Sequence, residues 1–238
     1  MQQPPGIGVQ LGIAFLICLG PRPPALIVVI LEQLQIIIPA ECRIHAGQVC
    51  TSPTRFYVHE TIYNRFVDGF AARASKIKIG NGLEDGIQMG PMIAPRRLDA
   101  MDGLVADAKA KGADIVTGGQ RLGNKGYFYP PTLLANVPDT ARIMSEEPFG
   151  PLAPTTRFST FDDVIERANG LPYGLASFVF TQNLAMAQKT EMALEAGMVG
   201  VNHMMVSTPE TPFGGVNESG YGVEGLDAYL RTKFVTEM

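Results

Sequence analysis

Hydrophobic residues beyond residue 50 recur with two different spacings, which predicts alternating helices and strands. Segments with the helical spacing lie at residues 62–76, from Pro95 to Gly112, at 161–168 and from Asn183 to Glu195. Short apolar runs predict strands at residues 55–59, 113–116, 176–181 and 198–202. This alternation predicts an α/β fold with a mainly parallel sheet and helices on both of its faces.

The first 40 residues are almost free of charge, with only Arg22 and Glu32. Their two apolar runs, at residues 12–19 and 25–31, are shorter than the ~20 residues that span a bilayer. No positive charge precedes them, as a secretory signal would require. We therefore expect buried strands or poorly folded sequence here, and no membrane segment.

Composition narrows the class of protein further. The chain has 238 residues, of which 46% are hydrophobic and 18% charged, enough apolar residues for a substantial core. A net charge of -4 argues against a nucleic-acid partner. The three cysteines have neither a disulfide framework nor metal-ligand spacing, which favours a reducing, cytoplasmic location and no metal site.

One cysteine, Cys50, has a sequence context that suits chemistry. Gly47 precedes it by three residues, and Thr-Ser-Pro follows it, as in a tight turn or a helix start. Free N–H groups in such a turn would stabilise a thiolate and lower its pKa. By itself this context is weak evidence for a nucleophile. Cys18 lies in an apolar run and is expected to be a buried filler, and Cys42 has no further pattern.

Two more loops combine glycine or proline with polar and aromatic residues. Residues 145–151 read SEEPFGP, and residues 212–215 read PFGG, followed by ESGYG at 218–222. Either loop alone is typical of a connection between elements.

Together these segments resemble the aldehyde dehydrogenase superfamily in order and spacing, specifically its catalytic half and C-terminal tail. The resemblance runs from about Ala46 to Met238 and rests on seven ordered motifs: GQVC at 47–50, GNG at 80–82, GP at 90–91, EEPFGP at 146–151, NGLPYGL at 169–175, GVN at 200–202 and PFGG at 212–215. The run STPE at 207–210 looks most like the succinate-semialdehyde dehydrogenase branch.

The resemblance implies NAD- or NADP-dependent oxidation of an aldehyde, possibly a semialdehyde, to an acid. Cys50 would be the nucleophile that forms a thiohemiacetal and then a thioester. Glu147 would bind the hydroxyls of the nicotinamide ribose, and Phe149 would pack beside that ribose. Phe213 would line the aldehyde tunnel, and Ser207 would contact the substrate.

The chain also departs from the family pattern. Only 49 residues precede Cys50, so the N-terminal dinucleotide-binding domain is largely absent, and weak or absent cofactor binding is expected. The family's Glu-Leu-Gly-Gly reads CLGP at residues 18–21, which puts a thiol in place of the general base. The expected organisation is a divergent apolar segment at 1–45, a catalytic domain at 46–228 and a C-terminal oligomerisation strand at 229–238.

Two alternatives to a complete oxidoreductase stay open. The chain could be a catalytically incomplete fragment whose capacity is assembly, since residues 229–236 alternate like an edge strand that extends a neighbour's sheet. It could also be a thiol esterase that uses Cys50 without a cofactor. A homo-oligomer is expected in each case, because an uncovered apolar surface favours association.

Overall fold

A computed structural model describes residues 45–220, 225, 229–231 and 233–237, together with the backbone of residues 14–18. The described strands are β1 (Ala14–Cys18), β2 (Pro53–His59), β3 (Asp114–Thr117), β4 (Thr132–Ala135), β5 (Leu152–Phe158), β6 (Tyr173–Gly174), β7 (Ala176–Phe180), β8 (Met198–Val201) and β9 (Val216–Asn217). The described helices are α1 (Tyr63–Ala74), α2 (Pro95–Ala110), α3 (Phe161–Asn169) and α4 (Leu184–Ala193).

Seven of these strands form one sheet in the order β3-β4-β5-β2-β1-β7-β8. Every neighbouring pair is parallel except β3 and β4, which are antiparallel at the edge. β6 and β9 form a separate antiparallel pair. The predicted mainly parallel sheet is therefore confirmed.

Side chains of β2 alternate between two apolar layers, one on each face of the sheet. Phe56 and Val58 pack with Phe66 and Phe70 of α1 in the first layer. Tyr57 points to the second layer, where the apolar residues of α2 and α3 pack. The prediction of helices on both faces is confirmed, and the first layer, called here the α1 face, is the one that Cys50 contacts.

The predicted helices and strands agree with the structure to within one or two residues at most ends. The side chain of Asn183 accepts a 3.0 Å hydrogen bond from the Met186 N–H, as a helix cap does. Gly112, which the sequence predicts to end α2, has the left-handed φ of +99° that favours glycine. Two strands that carry no sequence prediction, β4 and β5, complete the sheet.

β1 comes from the segment that the sequence analysis describes as divergent. It lies between β2 and β7, so a strand of the apolar N-terminal tract is central in the sheet. The side chains of β1, and the remaining residues before His45, lie outside the described part of the chain.

The described residues of the C-terminal tail, 229–231 and 233–237, form no strand in the single chain. Their apolar side chains are exposed, most of all those of Tyr229 and Phe234. Pairing of this tail with a neighbouring copy stays a prediction. Among the described residues, no helix has the length and apolar character needed to cross a bilayer.

A buried arginine joins the sheet to the end of α3. Arg55 is 3% exposed, and its guanidinium donates to the carbonyls of Arg167 and Ala168 at 3.1 and 3.0 Å. Burial lowers the pKa of this guanidinium to about 10, while the Tyr57 hydroxyl that it contacts favours the charged form. The positive charge therefore lies against the carbonyl end of a helix, where the helix dipole stabilises it.

Arg55→Met is expected to destabilise the fold by about 1–3 kcal/mol, because it leaves buried carbonyl groups without their donor. Urea unfolding followed by circular dichroism measures this loss. The matched control is Arg121→Met, since exposed Arg121 also donates to two backbone carbonyls. The control should change stability by less than about 0.5 kcal/mol. Equal effects of the two substitutions would contradict the assignment.

Candidate active site

The segment before Cys50 has an unusual left-handed backbone. His45, Ala46 and Gly47 have φ values of 52°, 56° and 71°, and only the last is a glycine. Hydrogen bonds from the Gln48 N–H to the His45 carbonyl and from the Ser52 N–H to the Val49 carbonyl then close two turns. Cys50 thus lies in a tightly turned loop that ends where β2 begins, as its sequence context predicts.

Gly47 brings this loop into contact with the loop of residues 146–151. A Cβ at Gly47 would lie 2.5 Å from the carbonyl oxygen of Gly150, a distance at which atoms overlap. Gly150 is confined by side chains instead, since a Cβ there would meet the ends of the Met101 and Met92 side chains. The two loops that the sequence singles out are therefore packed backbone against backbone.

The Cys50 side chain is half-buried against the α1 face, beside which Phe213 also packs. Burial raises the pKa of the thiol, and the carboxylate of Glu147 raises it further. The backbone N–H groups of Cys50 and Thr51 act in the opposite direction but do not prevail. The predicted donors are present, but the prediction of a lowered pKa is wrong, because loss of water around the thiolate outweighs them.

The two adjacent glutamates have different surroundings. Glu146 is exposed and bonds Arg142 through an Nε–Oε1 contact of 2.7 Å, which lowers the pKa of Glu146. Glu147 is half-buried, with its Oε1 atom out of contact with solvent, and its field reaches both Cys50 and Arg97. Glu147 is therefore the acidic residue that belongs to the surroundings of the thiol.

Phe149 has a strained backbone, with φ at +43°, a region that bulky side chains rarely adopt. The preceding carbonyl, that of Pro148, accepts a hydrogen bond from the Arg97 guanidinium at the start of α2. The Phe149 ring is half-buried. Such strain persists where surrounding contacts hold the backbone, and it is concentrated at functional sites.

The two candidate substrate residues differ in exposure. Phe213 is half-buried and packs against the same apolar face as Cys50, along with Met204 and Val206. Ser207 is exposed in the loop between β8 and β9. Phe213 and Cys50 thus share one apolar layer, whereas Ser207 is exposed.

Cys18, which stands where the family has its general base, lies at the far end of the neighbouring strand. Its backbone pairs with Val58, five residues beyond Pro53, whereas Cys50 precedes Pro53. At about 3.3 Å per residue this places the two cysteines at opposite ends of parallel strands. Nothing in this arrangement gives Cys18 a role at Cys50.

The motif NGLPYGL at residues 169–175 contributes structural hydrogen bonds. The amide of Asn169 donates to the Ala193 carbonyl and accepts from the Glu195 N–H, which secures the connection from α4 to β8. The Gly174 N–H donates to the Ser219 hydroxyl, which joins β6 to the turn after β9. These bonds hold loops in place.

Two polar side chains that the sequence did not single out lie at this site. Gln48 bonds the loop of residues 91–93, and Arg97 bonds the loop of residues 146–151. Gln48 belongs to the motif GQVC, so the sequence draws attention to it. What it binds depends on contacts with residues far away in the chain, which the sequence does not show. Among the described residues no group of three or more His, Cys, Asp or Glu could hold a metal ion.

Comparisons with known proteins agree with this geometry. Residues 32–235 match the model of the aldehyde dehydrogenase family. A putative 4-(hydroxymethyl)benzenesulfonate dehydrogenase of Comamonas testosteroni is 46% identical over 195 residues, which are 80% of this chain and 40% of that protein. A probable NADP-linked succinate-semialdehyde dehydrogenase of Sinorhizobium fredii is 40% identical with the same coverage.

A solved structure, the NAD+ complex of an aldehyde dehydrogenase from Bacillus cereus, superposes with a TM-score of 0.82 at 33% identity. It matches 90% of this chain and 42% of that one. The chain thus spans about 40% of the length of the curated relatives it matches.

Gly47→Ala is expected to disrupt the Cys50 loop, because the new methyl group would overlap the Gly150 carbonyl and the residue has a positive φ. We expect a stability loss of about 1–3 kcal/mol and slower alkylation of Cys50. Gly123→Ala is the control, since Gly123 has a similar φ of +66° with nothing within 4 Å of the added atom. If both variants alkylate Cys50 at the same rate, the contact does not shape the loop.

Glu147→Gln is expected to lower the pKa of Cys50. The carboxylate opposes the thiolate charge, so its removal makes the thiolate form at lower pH and speeds alkylation below the pKa. The pH dependence of iodoacetamide labelling, resolved by mass spectrometry, measures the shift. Glu146→Gln is the control, because Glu146 is paired with Arg142 and does not act on the thiol. An unchanged profile for Glu147→Gln would refute the coupling.

Proposed function

The chain belongs to the aldehyde dehydrogenase family, and from this premise we propose that it takes part in the NAD- or NADP-dependent oxidation of an aldehyde to a carboxylic acid, with Cys50 as nucleophile. One observation carries the proposal: the Cys50 loop packs on the loop of Glu147 and Phe149 through Gly47 and Gly150. This contact supports the proposal because the two loops lead into β2 and β5, which are neighbouring parallel strands. The matching region, residues 32–235, includes all of them.

In the proposed mechanism the Cys50 thiolate adds to the aldehyde carbon and forms a thiohemiacetal. The backbone N–H of Cys50, which favours the thiolate before the addition, would then donate to the developing oxyanion. Loss of the hydride, whose acceptor would be the bound nicotinamide, leaves a thioester on Cys50, and water adds to it. The thiolate leaves as the acid forms, and the proton of the water passes to solvent.

The residues beside Cys50 fit the nicotinamide end of a dinucleotide. The carboxylate of Glu147 accepts hydrogen bonds, as ribose hydroxyls require, and half-buried Phe149 offers a ring face for the sugar. When bound, the nicotinamide supplies the hydride acceptor. Relatives of both kinds, an NADP-linked dehydrogenase and an NAD+ complex, leave either cofactor open to test.

The substrate class that we propose is an aldehyde, with a semialdehyde as the first candidate. The matched relatives are named for different compounds, among them 4-(hydroxymethyl)benzenesulfonate and succinate semialdehyde, at identities of 46% and 40%. Identity alone therefore does not select one substrate. Phe213, on the apolar side of the cysteine loop, is the residue that we propose to contact the aldehyde.

Hydrolysis of an activated ester is the second candidate function. It needs only a nucleophile and an oxyanion donor, both of which Cys50 contains, and no dinucleotide. A role in assembly alone, without chemistry, is the outcome if neither reaction occurs.

Cys50→Ala is expected to abolish aldehyde-dependent formation of reduced nicotinamide, a loss of about a thousandfold or more for removal of a covalent nucleophile. The assay adds succinate semialdehyde or propanal with NAD+ or NADP+ and follows absorbance of the reduced cofactor. Cys42→Ala is the matched control, since it removes a thiol that no motif includes.

Three outcomes separate the candidates. Cofactor reduction that depends on Cys50 supports oxidation of the aldehyde. Cys50-dependent release of nitrophenol from nitrophenyl acetate, without cofactor reduction, supports the esterase instead. If Cys50→Ala matches the parent protein in both assays, the proposed role of Cys50 is wrong.

A further inference from the structure

Gln48 makes more long-range polar contacts than its neighbours in the cysteine loop. Its Nε2 donates to the carbonyl of His45 at 2.7 Å and, at 3.5 Å, to that of Pro91. Its Oε1 accepts from the N–H of Ile93 at 2.9 Å. One side-chain amide thus joins the turn before Cys50 to a loop that lies more than 40 residues away in sequence.

The turn that Gln48 binds is energetically unfavourable by itself. A left-handed conformation costs about 1–2 kcal/mol for each residue that carries a Cβ, and both His45 and Ala46 adopt it. Such a conformation persists only where other contacts hold it. The His45 carbonyl accepts both the backbone N–H and the side-chain Nε2 of Gln48, so this residue closes the turn twice.

The loop at residues 91–93 is a firm support for these bonds. It lies directly before α2, and buried Met92 packs in the core together with Met101 of that helix. The same two methionines would meet a Cβ at Gly150. Met92, which belongs to the loop that Gln48 binds, and Met101 therefore both pack against the loop that contains Glu147.

We propose that Gln48 is a positioning residue for Cys50: its amide fastens the left-handed turn to the 91–93 loop and so fixes the direction in which the chain enters Cys50. The inference rests on the proposed role of Cys50 as nucleophile. Gln48 acts through its bonds to the backbone of His45, Pro91 and Ile93.

The bonds of Gln48 affect the pKa of the Cys50 thiol through the backbone N–H groups that stabilise its thiolate. The N–H groups of Cys50 and Thr51 face the sulfur and favour the thiolate, against burial and the carboxylate of Glu147. If the turn before them relaxes, the donors lose their alignment while burial and Glu147 remain. Loss of the Gln48 amide therefore raises the pKa of Cys50 and slows its reaction with an electrophile.

Two substitutions isolate the amide. Gln48→Met keeps the length of the side chain and removes all three hydrogen bonds. Gln48→Leu removes the same three hydrogen bonds and, like Gln48→Met, adds no charge near the thiol. Gln88→Met is the matched control, because the Gln88 side chain also accepts a backbone N–H, that of Lys78, in a loop outside the site.

The test uses the full chain and iodoacetamide, with labelling at each cysteine resolved by mass spectrometry across the pH range where thiols titrate. We expect both Gln48 variants to label Cys50 several-fold more slowly than the parent protein at neutral pH, with a pH profile shifted upward. Gln88→Met should match the parent profile. Circular dichroism identifies any variant that does not fold, and Gln48→Leu, which is also uncharged, carries the test if Gln48→Met fails.

The outcomes separate this inference from the proposed function. If Cys50→Ala matches the parent protein in both the cofactor-reduction and the esterase assay, the role of Cys50 falls and the inference falls with it. If either activity depends on Cys50 but folded Gln48 variants keep the parent pH profile of Cys50 labelling, the inference alone is overturned. A lower unfolding midpoint with an unchanged Cys50 profile overturns it as well, since that result shows a merely structural role.

Discussion

Close contact between the backbones of Gly47 and Gly150 is the constraint on which the site depends. Gly47 has no room for a Cβ, because the backbone carbonyl of Gly150 lies against it, and the Met101 side chain packs on Gly150. The loop of Cys50 and the loop of Glu147 can therefore approach this closely only with glycine at position 47. The packing of these two loops therefore sets the distance between the Cys50 thiol and the Glu147 carboxylate.

The sheet supplies two different environments to this contact. On one face, apolar residues of α1 and β2 form the surface against which Cys50 and Phe213 pack. On the other, Arg55 and Tyr57 bond the end of α3 and fix the strand that follows the cysteine loop. The strand β2 is therefore packed against apolar side chains on the α1 face and held by buried hydrogen bonds on its other face.

Sequence patterns predicted most elements and singled out the two loops that meet at Gly47 and Gly150, but they missed features that arise from long-range packing. β4 has only four residues and β5 contains Pro154, so neither segment shows the usual sequence pattern of a strand. Both are strands because they are buried between neighbouring strands of the sheet. The N–H donors at Cys50 follow from the local turn and were foreseeable. The direction of its pKa was not, because it depends on burial and on Glu147, which is 97 residues away in the chain.

The left-handed backbone of Phe149 lowers the stability of the fold, whereas its ring is proposed to serve the site. Glycine would adopt this conformation without steric cost, so a chain selected for folding alone would carry glycine here. Phenylalanine instead keeps a half-buried ring next to Glu147 at the expense of folding free energy. In a related chain that no longer needs the ring, a substitution that relieves this strain would be accepted early. The residue at this position in related chains would therefore indicate whether the site is still used.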